Sequence, residues 1–191
     1  NMSQGLLVII SAPSGGGKTT IVSRLLEEMP QATRLVTTTT RAPRPGEVDG
    51  IDYHFMTRGT FQKKIQAGDF VEWVEYAGAF YGTDRYELGL LLANHPFIFA
   101  NVDVRGKENL AKAGFPCLSI FLVPESEEVL RTRLARRPRA TEAYIEGRLA
   151  RAAAEMAMAP TFDHQVVNRE GQLAEAVAEL RAILDKTTQT R

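Results

Sequence analysis

Apolar residues fall along this chain in short continuous runs separated by stretches of helical spacing. Residues 6–10 form the first run, closed by the turn-forming residues 11–17. A run of that length, bounded by turn residues, reads as a strand buried on both faces, the kind found in parallel sheets. Ile21, Val22, Leu25, Leu26 and Met29 then recur at helical spacing over 18–29, and Pro30 stops the helix. The same logic predicts buried strands at 97–102 and 117–123, with Val166-Val167 as a short last strand. Helices are predicted over about 125–137 and 142–158, and a final one over 171–186 with the stripe Leu173, Val177, Leu180 and Leu184. Strands alternating with helices imply an α/β layered fold built on a parallel sheet.

The segment from residue 37 to about 95 breaks this rhythm. It opens with a polar stretch punctuated by Pro43, Pro45 and Gly46, and continues in short alternating runs such as Phe70-Val71-Glu72-Trp73-Val74-Glu75. A period of two predicts strands with one wet face, so the segment reads as an insertion folding into a small mixed subdomain. Trp73, on the face opposite Glu72, reads as packing. No internal repeat, low-complexity tract or linker interrupts the chain, and 191 residues suit a single domain. Hydrophobic residues at 44% and charged residues at 24% exclude a disordered or collagen-like chain. The apolar runs are too short to cross a bilayer. A single cysteine, Cys117 in an apolar run, fits inert packing in a reducing compartment, and no charged region precedes the first run, so a cytoplasmic location is expected. His54, His95 and His164 lack metal-ligand spacing. Lysine plus arginine equals aspartate plus glutamate at 23 each, which argues against a general nucleic-acid or membrane binder. The balance is uneven locally: residues 131–151 hold seven arginines against Glu142 and Glu146.

Ala12-Pro13-Ser14-Gly15-Gly16-Gly17-Lys18-Thr19 matches the phosphate-loop pattern with alanine in place of its first glycine, between the predicted strand and helix. The glycines let backbone N–H groups converge on phosphate oxygens, and the helix adds its positive end. Lys18 would reach the β- and γ-phosphates and the Thr19 hydroxyl would ligate Mg²⁺. Residues 12–20, through Thr20, are therefore the candidate ATP-binding segment. Asp103, just past the run 97–102, is the candidate acid for the Mg²⁺ shell, direct or through water; a solvated strand-end aspartate is the other reading.

Arg41 and Arg44 stand three apart on a proline-stiffened loop with hydroxyls before and Tyr53 after. Arginine forks and hydroxyls suit a monophosphate dianion, and they also suit a solvated basic loop. With the long stretch from Thr37 to Phe55, then Phe70-Val71-Glu72, then Tyr81-Gly82-Thr83, the chain resembles the guanylate kinase family, and the match runs over most of its length. The resemblance implies a P-loop three-layer core with a parallel sheet (about 4–36, 97–133 and 148–191). It also implies a small mixed GMP-binding subdomain (about 37–96) and a short helical lid (about 134–147). It implies that Thr37, Arg41, Arg44, Tyr53 and Tyr81 hold the GMP phosphate and that Glu72 and Thr83 read the guanine edge. Asn101 and Asp103 would also serve GMP. Arg133 and Arg137 on the ATP side and Arg148 near the transferring group would flank the lid, with Lys18, Arg41, Arg137 and Arg148 as the catalytic set. Asn168, in Val166-Val167-Asn168, would be a further ATP contact. Closure of the lid would exclude water.

Three positions depart from the family pattern: Asn101 where an aspartate is usual, Arg105 for glutamine, and Pro138 for glycine in the lid turn. The expected function is ATP-dependent, Mg²⁺-assisted phosphorylation of GMP, with small nucleotides as partners and neither nucleic acid nor membrane. Homo-oligomerisation is not legible. The alternatives are a kinase of a sugar phosphate such as ribose bisphosphate, a non-catalytic binding module on the same fold, and RNA binding through the arginines.

Overall fold

A computed structural model describes residues 5–189 except Ala77, Asp103 and Pro116. Nine strands and seven α-helices are present among them: β1 (Leu6–Ser11), α1 (Lys18–Glu28), β2 (Thr33–Arg34), β3 (Thr38–Thr39), β4 (His54–Phe55), α2 (Arg58–Ala67), β5 (Phe70–Tyr76), β6 (Ala79–Asp84), α3 (Arg85–Asn94), β7 (Phe97–Asn101), α4 (Val104–Lys112), β8 (Cys117–Pro124), α5 (Glu127–Ala135), α6 (Glu142–Ala157), β9 (His164–Asn168) and α7 (Leu173–Gln189). The strands form a five-stranded parallel sheet of order β2-β7-β1-β8-β9 and a second, mixed sheet of order β4-β3-β6-β5. The α/β architecture expected from the alternation is thus present. Chain contacts divide into two compact units, one built from Gln31–Ala100 with Glu108–Cys117 and the residues up to Leu7, the other from Val8–Pro30, Asn101–Lys107 and the chain from Leu118 onward.

In the second unit the apolar runs behave as the pattern demands. Val8, Ile9 and Ile10 of β1 and Ile120, Phe121 and Leu122 of β8 are completely buried. β8 pairs in parallel with β9 from Ile120–His164 to Pro124–Asn168, so the last strand is longer than the two valines indicated. α1 buries Ile21, Val22 and Leu25, and α7 buries Ala176, Val177, Leu180 and Leu184; the two helices pack together and carry the Arg181–Glu28 ion pair at 3.1 Å. α5 and α6 close on a shared cluster of Leu130, Leu134, Ile145, Leu149 and Ala152, with Ala140 and Tyr144 against it. The turn joining them holds Arg139 at φ 62°, a left-handed conformation that a residue with a Cβ adopts only at a cost. Ser126 and Thr141 start α5 and α6 by accepting from Val129 N and Tyr144 N.

In the first unit, β5 and β6 form a hairpin with Glu72 opposite Thr83 and a register shift between Phe70 and Glu72. Its dry face is aromatic. Phe61 of α2 stacks on Phe70 at 4.3 Å and on Phe80 at 5.2 Å between ring centroids, with Met56 and Ile65 around them. Each ring pair contributes about 0.5–1.5 kcal/mol beyond the burial of its area. Trp73 meets Phe80 edge-on at 5.7 Å, the packing role expected for it, while its outer side stays open to solvent. Thr57 and Asp84 cap α2 and α3 by accepting from Thr60 N and Glu87 N.

Candidate active site

The phosphate loop lies where the sequence places it, between β1 and α1. Gly17 takes the N-cap position of α1 at φ 85°, and no side chain caps the helix. The first-turn N–H groups therefore meet no side-chain acceptor at the cap and are presented to an incoming anion. The glycines are also required by crowding. A Cβ on Gly16 would lie 2.7 Å from Ala12 Cβ, and one on Gly17 would lie 2.4 Å from Asn168 Nδ2. Asn168, at the end of β9 and 5% exposed, donates from Nδ2 to the Gly16 carbonyl at 2.9 Å. Arg133 of α5 donates to the Gly15 carbonyl at 3.4 Å and pairs through Nε with Glu170 at 2.8 Å. Carbonyls held outward in this way keep the loop's amides facing inward.

A cavity of about 450 Å³ lies over the loop, lined by residues 12–20 and by Arg133, Arg137, Arg148, Arg151 and Glu155. It gathers every ATP-side residue expected from the sequence except Asn168, which braces the loop from behind. Arg137 donates to the Tyr144 hydroxyl at 3.4 Å, and Arg148 lies 5.2 Å from the centre of the same ring. Desolvation pushes the Tyr144 hydroxyl up, but the hydrogen bond from Arg137 and the charges of Arg148 and Arg137 outweigh it and hold the pKa below its ordinary value. Tyr144 was invisible as a site residue in the sequence, because nothing local marks a tyrosine as the rest for two arginines.

In the first unit the predicted acceptor residues gather around β3 and β6. Thr39 is paired with Tyr81, and Thr37 O accepts from His54 N at 2.9 Å to join β3 to β4. Tyr53 and Tyr81 meet edge-on at 6.1 Å, and the Arg41 guanidinium lies 5.4 Å from the Tyr53 ring centre. Arg41 is anchored by Glu47 at 2.8 Å and by the Ala42 carbonyl at 2.7 Å. Glu47 also accepts from Arg44 N at 2.7 Å, so one carboxylate shapes the whole loop while the Arg44 side chain stays exposed. Glu47 above all, against the opposing effect of burial and with help from Tyr81, raises the pKa of Arg41 beyond its ordinary value, so its charge is permanent. Arg41 and the Arg44 amide in turn lower the carboxyl of Glu47. The sequence alone assigns Glu47 no role; its one local signal is an acid six residues beyond an arginine across a proline-rich turn.

Thr83 is fully buried and donates from Oγ1 to Glu72 Oε1 at 2.9 Å. The pair expected to read a base is therefore assembled, with the carboxylate oriented by the hydroxyl. Asn101 ends β7 half-buried. Asp103, expected at the metal and at GMP, lies outside the described residues. No group of three or more His, Cys, Asp or Glu side chains could hold a metal among the described residues, and no helix among them is long and apolar enough to cross a membrane.

A glycine-lined loop at a helix start beneath four arginines, on a parallel α/β sheet, defines a P-loop phosphotransferase. The guanylate kinase family model matches residues 4–187. Guanylate kinase of Thiobacillus denitrificans is 45% identical over 184 residues, covering 95% of this chain and 88% of that protein. The Idiomarina loihiensis guanylate kinase is 41% identical over 166 residues, covering 86% and 79%. A crystal structure of guanylate kinase from Anaplasma phagocytophilum superposes with a TM-score of 0.75 at 28% identity, covering 97% of this chain and 87% of that one. The chain belongs to the guanylate kinase family.

Proposed function

We propose that this protein transfers the γ-phosphoryl group of ATP to GMP, and to dGMP, in cytoplasmic purine nucleotide metabolism. The observation that carries the acceptor assignment is the Glu72–Thr83 pair on neighbouring strands of the unit that also holds Arg41, Tyr53 and Tyr81. A carboxylate so oriented accepts from guanine N1–H and N2–H₂, a donor pair that adenine lacks. Arg41 and Arg44, with the Thr37, Tyr53 and Tyr81 hydroxyls, hold the monophosphate.

In the reaction an oxygen of the GMP phosphate attacks Pγ, the bond from Pγ to the β-bridging oxygen breaks, and ADP leaves with that electron pair. No protein nucleophile is needed. The loop amides and Lys18 bind the polyphosphate, and Arg137 and Arg148 neutralise charge on the transferring oxygens. Mg²⁺ fits the donors present: Thr19, which carries a hydroxyl, lines the cavity at the first turn of α1, and a hard cation would take its other ligands from phosphate oxygens and water. When bound it screens the β- and γ-phosphate charges.

A coupled assay with ATP against GMP, dGMP, AMP, UMP and ribose bisphosphate tests the proposal. Turnover of GMP and dGMP alone supports it; preference for the sugar phosphate, or no turnover with any acceptor, overturns it. Gly17→Ala is expected to raise the KM for ATP about tenfold, because the new methyl strains a left-handed residue and displaces Asn168. Steady-state kinetics check this, and an unchanged KM refutes the crowding argument. Asn101→Asp is expected to raise the GMP-over-AMP preference several-fold, by about the worth of adding a charge to one hydrogen bond. Unaltered rates and preference would show that position 101 does not touch the base.

A further inference from the structure

Of the seven arginines between residues 131 and 151, Arg151 has no role in the mechanism above, and neither does Glu155. Both nevertheless line the cavity over the phosphate loop with Lys18, Arg133, Arg137 and Arg148. Arg148, Arg151 and Glu155 follow one another at spacings of three and four along α6, so they form a single stripe of that helix. Ile145 and Leu149 meanwhile turn toward the cluster shared with α5, which fixes the rotation of the stripe.

Arg151 Nε donates to Glu155 Oε1 at 2.9 Å. The acid is the more enclosed partner, its side chain 16% exposed against 38% for Arg151. Helix stability is a weak account of the pair, since isolated helices gain more with the acid on the N-terminal side, the reverse of the order here. A carboxylate facing a site for polyphosphate needs another explanation, because an unpaired one would repel the ligand. Engaging Nε fixes the plane of a guanidinium and so decides where its two Nη groups point.

We infer that Arg151 is a further phosphate-binding residue of the ATP site and that Glu155 is the positioning residue that aims it. The inference rests on the assignment of this cavity to ATP. Glu155 acts through Arg151, so the two form one unit and their losses overlap.

Direct titration of the full-length protein with MgATP, MgADP and AMP, alongside steady-state kinetics, tests this in Arg151→Gln, Glu155→Gln and the double variant. Arg151→Gln is expected to weaken MgATP binding and raise the KM for ATP about tenfold, with the KM for GMP, AMP binding and the melting temperature unchanged. Glu155→Gln is expected to give about a threefold loss confined to the same two parameters. The double variant is expected to match Arg151→Gln alone. Unchanged MgATP affinity in Arg151→Gln overturns the proposal, as do losses that multiply in the double variant. Should Glu155→Gln fail to fold, Arg151→Gln decides alone. If the parent protein binds MgATP but does not phosphorylate GMP, the acceptor assignment fails while the binding comparison still stands.

Discussion

Lys18→Met is expected to lower phosphoryl transfer about 10³-fold, the scale seen when a preorganised electrostatic contact is removed from a reacting centre. Methionine nearly reproduces the length of the lysine side chain, so what disappears is the charge. Lys18 stands at the first residue of α1, beside amides already turned inward by the Asn168 and Arg133 contacts to the loop carbonyls. Its charge complements the phosphate oxygens most where negative charge is greatest, so the loss should fall on kcat rather than on the KM for GMP. The melting temperature should move by no more than a few degrees, since the core of α1 rests on Ile21, Val22 and Leu25. A variant retaining full activity would refute the assignment of the loop to ATP.

Glu72→Gln is expected to lower kcat/KM for GMP by about 10²–10³-fold while changing the poor AMP rate less than about threefold. The carboxamide removes a charge and sets a donor against the guanine edge, where two donors arrive from the ligand. It also disturbs the bond from Thr83, whose hydroxyl is fully buried and depends on Glu72 Oε1 as acceptor. Measuring both acceptors separates a base contact from general damage, because damage lowers both rates together. Equal losses with GMP and AMP would show that Glu72 supports the hairpin without reading a base.

The phosphate loop was legible in the sequence because its chemistry is local: turn residues, a lysine and a hydroxyl must be contiguous to surround a phosphate. The buried strands at β1, β7 and β8 were legible for a similar reason, since both faces of each are dry and the apolar run is continuous. The short helices α2, α3 and α4 were not. α2 offers only Phe61 and Ile65 to the interior, and α3 carries Leu90 facing solvent beside the buried Leu88 and Leu92, so neither shows a clean stripe. Strand β2 is two residues long and takes its place by pairing with Ile98 and Phe99, which no local pattern announces. The acceptor arginines were visible, but their anchor Glu47 was not, because the contact exists only once the proline-rich loop folds back. Arg151 and Glu155 take no role from the sequence alone, although four residues apart they share one stripe of α6. Which way that stripe faces depends on how α5 and α6 meet, a tertiary fact.

The Arg41–Glu47 pair has a consequence for traffic through a crowded solution. Because its guanidinium is already matched by a carboxylate, Arg41 presents little uncompensated charge to passing anions. Chloride, bicarbonate and inorganic phosphate are expected to gain little by entering, since each must compete with a tethered acid whose effective concentration is high. Under the assignment proposed above, a nucleotide is expected to succeed because its base adds contacts elsewhere in the same unit. The counter-ion is thus expected to work as a threshold that keeps occupancy by bystander ions low without any narrowing of the entrance.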